Sequence, residues 1–169
     1  QRTAAEYRET VEACLETAQQ MRRLTEALLE LARFDAGQSQ FQPGPVDLAA
    51  TTRTCVELIR PLAAARGIQI HCDFAPAKLT GDDARLSQVI TNLLTNAIHY
   101  NKPQGKIHVR TLVENNEVKL TVADTGPGIA PEDLPHIFER FYRSDKARTS
   151  SSGRNGLGLA ICQAVVDEH

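Results

Sequence analysis

The stretch Asn92-Leu93-Leu94-Thr95-Asn96-Ala97-Ile98-His99-Tyr100 is followed, after a β-like segment, by Asp124-Thr125-Gly126-Pro127-Gly128-Ile129 and later by Gly156-Leu157-Gly158-Leu159-Ala160. Two carboxamides four residues apart lie on one face of a helix. Each glycine pair lets backbone N–H groups approach a phosphate or an adenine without side-chain obstruction. The second pair opens a final helix whose N-terminal N–H groups and dipole can hold a triphosphate. The interval from Asn96 to Asp124 equals that from Gly128 to Gly156, so the motifs form an ordered set rather than isolated glycine turns. Together they read as a nucleotide pocket. No G-x-x-x-x-G-K-[ST] occurs, which excludes a P-loop.

Outward from the asparagine helix, the pattern defines the rest of the chain. That helix starts after Gly81-Asp82-Asp83. From Lys106 to Ala123 the period changes to two, with Ile107, Val109, Thr111 and Val113, then Val118, Leu120 and Val122, and Asn115-Asn116 at the expected hairpin turn. Upstream, Asp47 caps a helix with Leu48, Val56, Leu58, Ile59, Leu62 and Ala63 on one broad face. Gly67 ends it, and Ile68, Ile70 and Cys72 alternate as a short strand. This order predicts an α+β fold, a two-layer sandwich whose mixed, mostly antiparallel sheet is covered by helices on one face. Residues 38–47, with two prolines around a glycine, read as a linker. Before it runs a long helix with a heptad stripe, Tyr7, Val11, Cys14, Ala18, Met21, Thr25, Leu28 and Ala32, widened by Leu15, Leu24, Leu29 and Leu31 and stopped at Gly37. Either it packs on its own domain or it is half of a helical hairpin in a dimeric four-helix bundle.

Composition limits the function classes. The chain has 169 residues, 41% hydrophobic and 24% charged, enough for one ordinary core. A net charge of −2 leaves no electrostatic footprint for nucleic acid, and no apolar run or signal peptide stands out. Gln1 in place of Met predicts a piece of something longer. Cys14, Cys55, Cys72 and Cys162 form no C-x-x-C pattern and have apolar neighbours, so reduced, buried thiols in a cytosolic setting are expected rather than disulfides or a zinc site.

The motifs resemble the ATP-binding catalytic domain of sensor histidine kinases, in the wider gyrase, heat-shock chaperone, histidine kinase and MutL class (the Bergerat fold). The resemblance covers nearly the whole chain. It implies a second dimerisation helix at 1–37, a linker at 38–47 and an ATP-binding catalytic domain at 48–169 that is short of its last strands. It further implies that Asn96 is the magnesium ligand, and that Asp124 accepts from the exocyclic amine of adenine. Gly126 and Gly128 then let backbone and water approach the ring, while Ile129 and Tyr100 pack on it. Asn92 stands where gyrase-like relatives carry a glutamate that activates water. An amide is a poor base near pH 7, so hydrolysis should be weak. Gly156, Leu157, Gly158 and Leu159 are implied phosphate contacts.

Phe138-Glu139-Arg140-Phe141-Tyr142-Arg143 looks like the family's phenylalanine box, its aromatics expected as core anchors. Ser144 to Asn155 should form a mobile lid, with Arg143, Lys146, Arg148 and Arg154 as candidate phosphate partners. His99 departs from the family's usual Lys, and Lys102 is a possible substitute charge.

None of His71, His99, His108, His136 and His169 has the surroundings of a phosphoacceptor. The acceptor is therefore expected upstream, and this chain alone should not autophosphorylate. The implied function is transfer of the ATP γ-phosphoryl to a histidine outside this chain and thence to a response regulator's aspartate. Implied cofactors are ATP and Mg2+, and implied partners are a receiver domain and a second copy in the parent protein, with no nucleic acid. The implied location is the cytoplasmic portion of an inner-membrane sensor, touching membrane only through segments absent here. An ATP-driven dimer clamp of the gyrase or MutL kind is disfavoured by Asn92 and by the heptad helix; a non-catalytic nucleotide-binding module is the other alternative.

Overall fold

Ordered caps and turns set the element boundaries in the computed structural model, which describes residues 3–144 and 155–169. Helix α1 spans Ala4–Asp35 and ends where Gly37, at φ +62°, lets Gln38 N–H reach the Arg33 carbonyl and Gly37 N–H that of Phe34, a Schellman closure. Strand β1 (Gly44–Asp47) leads into α2 (Leu48–Ala64), capped by Asp47, whose Oδ1 accepts from the N–H groups of Ala49 and Ala50 at 3.1 and 3.3 Å. Strands β2 (Gln69–Phe74) and β3 (Lys78–Gly81) precede α3 (Asp83–His99). Asp82 caps α3 in the same way and also accepts from Gln42 N–H at 3.0 Å. Burial alone would raise its carboxyl, but those backbone donors and the Arg85 guanidinium outweigh it and hold the pKa below the ordinary value.

Strands β4 (Lys106–Glu114) and β5 (Glu117–Asp124) form a hairpin closed by Asn115 and Asn116, both at positive φ, the signature of a type I′ turn. A 3-10 turn at Leu134–His136 and helix α4 (Gly158–Glu168) complete the described chain.

The sheet order is β2-β4-β5, parallel between β2 and β4 and antiparallel between β4 and β5, beside a two-stranded antiparallel ribbon of β1 and β3. Two of three pairings are antiparallel, and α2 and α3 cover one face. Between them lies the main core, including Val56, Ile90, Leu94, Ile98, Ile107 and Val109. A second core joins α3, α4 and the end of α1 through Val89, Leu31, Leu157, Ile161 and Val165.

Several expectations change. The end of the expected linker is strand β1, and β3 has no counterpart in the sequence pattern. Both are four residues long and pair only with each other, which leaves too little alternation to recognise, and Pro45 fits because a two-stranded ribbon has open edges. The heptad stripe does not pack within the chain: Tyr7, Val11 and Met21 are 59%, 65% and 65% exposed. The packed stripe is instead Leu24, Ala27, Leu31 and Phe34, rotated about the helix to meet α4. Cys14 and Cys72 are exposed, against the expectation of four buried thiols, because one lies on the outer part of α1 and the other on edge strand β2. Phe138 and Phe141 are also exposed rather than core anchors; the Phe141 backbone makes the packing contacts described below.

Candidate functional site

Helix α3 is the shared wall of the site. At its middle, half-buried Asn92 directs its amide nitrogen to the Gly158 carbonyl at the start of α4, 3.5 Å away. A Cβ on Gly158 would stand 3.8 Å from the Asn92 carboxamide, ordinary contact. At its end, Tyr100 is the C-cap, and a Cβ on Gly126 would lie 2.5 Å from the Tyr100 carbonyl oxygen and 2.7 Å from Asp124 Oδ1. Only glycine allows that approach. The asparagine helix thus touches both glycine motifs, and half-buried Asn96 lies along the helix between those two contacts.

Asp124 ends β5 with its side chain exposed. Its Oδ1 accepts from Gly126 N–H at 2.7 Å, which leaves the second carboxylate oxygen for a ligand donor. Two residues that sequence reasoning missed hold this corner. Thr125 Oγ accepts from Lys106 N–H at 2.9 Å and donates to Asn101 Oδ1 at 3.1 Å, while Asn101 Nδ2 donates to the Lys106 carbonyl at 3.2 Å. A polar residue just past the helix end and a hydroxyl beside Asp124 were the available signals. Gly128 has φ +74° with open space where a Cβ would be, and Ile129 is exposed, as is Tyr100.

The start of α4 presents backbone donors. Its N-cap is Leu157, which supplies no side-chain cap, so the first-turn N–H groups have no intrahelical partner and point out with the positive end of the dipole. Leu157 itself is buried in the second core, so only its backbone is available to a ligand, whereas Leu159 is half-buried. Gly156 takes φ +67°, and a Cβ there would meet the Tyr142 carbonyl oxygen at 2.7 Å.

Beneath the site, the Cys162 thiol is pushed up to about 11 by burial, a rise that its hydrogen bond from Asn92 only partly opposes. It stays protonated and unreactive. The His99 ring donates from Nδ1 to the Thr95 carbonyl at 2.8 Å and is held along its own helix. Lys102 is exposed in the following loop. Arg143 is half-buried at the end of the described segment; the expected lid and its Lys146, Arg148 and Arg154 lie outside the described residues.

A coordinating role for Asn96 fits the donor chemistry. Among the described residues no group of three or more His, Cys, Asp or Glu could hold a metal, whereas magnesium takes one or two protein oxygens together with phosphates and water.

Comparison with known proteins identifies the family. The family model described as "Histidine kinase-, DNA gyrase B-, and HSP90-like ATPase" matches residues 81–169. The chain is similar to the signal transduction histidine-protein kinase BaeS of Escherichia coli (strain K12), 34% identical over 163 residues, covering 95% of this chain and 35% of that protein. Among solved structures it is similar to the mycobacterial sensor histidine kinase MprB, with 33% identity, TM-score 0.68, 75% of this chain and 81% of that one. Full-length ShkA in complex with AMPPNP gives 30% identity and TM-score 0.84 over 99% of this chain and 35% of that one. The chain spans between 28% and 35% of the length of its curated relatives.

Proposed function

Because the chain belongs to the histidine kinase-, DNA gyrase B- and HSP90-like ATPase family and is a catalytic domain of the sensor histidine kinase kind, we propose that it is the ATP-binding catalytic portion of a two-component sensor histidine kinase. It transfers the ATP γ-phosphoryl to a histidine outside this chain, from which a response regulator's aspartate receives it. The observation that carries this reading is α3 meeting both glycine motifs, Asn92 against Gly158 and Tyr100 against Gly126.

In this mechanism Asp124 accepts from the adenine amine with the oxygen that Gly126 does not use, and the exposed faces of Tyr100 and Ile129 cover the base. The uncapped start of α4 holds the phosphates. Asn96 supplies one oxygen for magnesium, whose charge, when bound, offsets that of the phosphate oxygens. Asn92, tied to Gly158, orients the phosphate-binding turn but does not accept a proton from water, so ATP is kept for phosphoryl transfer. The exposed stripe of α1 suits a second copy of the parent protein. No helix among the described residues is long and apolar enough to cross a membrane; by analogy with the sensor kinases it resembles, the domain works on the cytoplasmic side of an inner-membrane protein.

The test mixes the chain, labelled ATP, magnesium and a separately made protein carrying a sensor kinase's acceptor helix. Acid-labile label is expected on the acceptor and none on the chain alone, since transfer needs the acceptor nitrogen in line with the γ-phosphorus. Stoichiometric acid-labile label on the isolated chain would refute an acceptor outside it, and no label on the acceptor would refute the kinase reading.

A further inference from the structure

The last residue of α1, Asp35, receives both terminal nitrogens of Arg140, at 2.8 and 2.6 Å. That fork holds the Asp35 carboxyl below its ordinary pKa. Arg140 directly precedes Phe141, one of the few non-glycine residues at positive φ, +64°. Phe141 N–H donates to the Gly156 carbonyl at 3.0 Å. Gly156, itself at φ +67°, lies so close to the Phe141–Tyr142 backbone that a Cβ would stand 2.8 Å from the Phe141 carbonyl carbon. The next residue is Leu157, the N-cap of α4. A continuous path of an ion pair, an unusual backbone conformation and a close glycine contact therefore runs from the end of α1 to the turn that presents the α4 N–H groups. The rest of the α1 attachment joins it to α3 and α4: Gln88 bonds Glu30 at 2.8 Å, Arg85 lies over the Phe34 ring at 4.9 Å, and Leu31 is buried in the second core. Of these attachments of α1, the Asp35–Arg140 pair is the one that reaches the segment that packs on Gly156.

We propose that Asp35 and Arg140 are positioning residues that couple the docking of α1 to nucleotide affinity, by setting the Phe141–Tyr142 backbone against the Gly156 turn. This rests on the nucleotide site argued above. With the pair made, the turn is already in its binding conformation and nucleotide need not order it. By reciprocity, bound nucleotide strengthens the docking of α1. The Arg140 and Asp35 side chains are 45% and 57% exposed, and exposed pairs have small effects, so a loss of about two- to fivefold in affinity is expected rather than abolition.

The test is calorimetric titration of the 169-residue chain with ADP and magnesium, for the parent, Asp35→Ala, Arg140→Ala, the double variant, and the charge swap Asp35→Arg with Arg140→Asp. Each single substitution should weaken ADP by about two- to fivefold, the double variant should be no worse than either single, and the swap should recover most of the loss. In the nucleotide-free protein, hydrogen exchange at the Phe141 amide should quicken in the singles and slow again in the swap. A merely structural pair would not give rescue at both readouts with an unchanged melting temperature. ADP binding by the parent that is indifferent to both residues, or additive losses in the double variant, would overturn the coupling and leave the nucleotide site standing. Failure of the parent to bind ADP at all would overturn both.

Discussion

Replacing Asp124 by Asn isolates the adenine contact, because the change is nearly isosteric and the turn that positions the side chain survives it. Asn retains an oxygen to accept from Gly126 N–H, a bond of 2.7 Å in the structure. The Thr125–Asn101–Lys106 network around it does not involve the carboxylate. What changes is the outward atom. A carboxylate oxygen that accepts from the adenine amine becomes an NH2 that opposes it donor to donor. Losing a charge-assisted hydrogen bond costs about 1.5–3 kcal/mol, which is roughly 10- to 150-fold in Kd. Because the side chain is exposed in the nucleotide-free state, water replaces its partner there and stability should hardly change. The same NH2 matches the oxygen that guanine carries in place of that amine, so preference for ADP over GDP should narrow along with the loss of ADP affinity. Calorimetric titration of parent and variant with both nucleotides, with melting temperature as the control, reads each effect. An ADP affinity within twofold of the parent would refute the assignment of Asp124 to adenine.

Two further expectations follow from the same site and its support. Asn96→Ala should remove the magnesium-dependent part of ADP affinity while the fold persists, since Asn96 is only half-buried on α3; an equal effect of magnesium in parent and variant would place the ligand elsewhere. Asp82→Ala, which deletes the α3 cap and the acceptor for Gln42 N–H, should destabilise the protein by about 1–2 kcal/mol at pH 7. Because the folded pKa of Asp82 is lowered, its contribution is complete above the unfolded carboxylate range, about 3.9, and fades as pH falls through the folded value. Urea unfolding should therefore show parent and variant converging in strongly acidic buffer, and a pH-independent gap would contradict the linkage.

Local chemistry was legible in the sequence wherever one residue type alone meets a geometric demand. Asp47 as a cap, Gly37 and Gly67 as helix stops and Asn115-Asn116 at the hairpin turn all appear as read, because each answers a demand of the backbone within a few residues. The α+β class followed from the change of period between Asn92–Tyr100 and Lys106–Ala123, and the nucleotide motifs followed from glycines spaced about a carboxamide helix. Tertiary structure alone decided which of two apolar stripes on α1 is packed. Tyr7, Val11 and Met21 and the set Leu24, Ala27, Leu31 and Phe34 both recur at helical spacing, and the positions of α3 and α4 select the second. It likewise decided that β1 and β3 pair, that Cys72 stays exposed at the sheet edge, and that Asp35 meets Arg140 across the chain. These depend on contacts between residues far apart in sequence, whose energies come from shared burial and geometry rather than from any local preference of the chain.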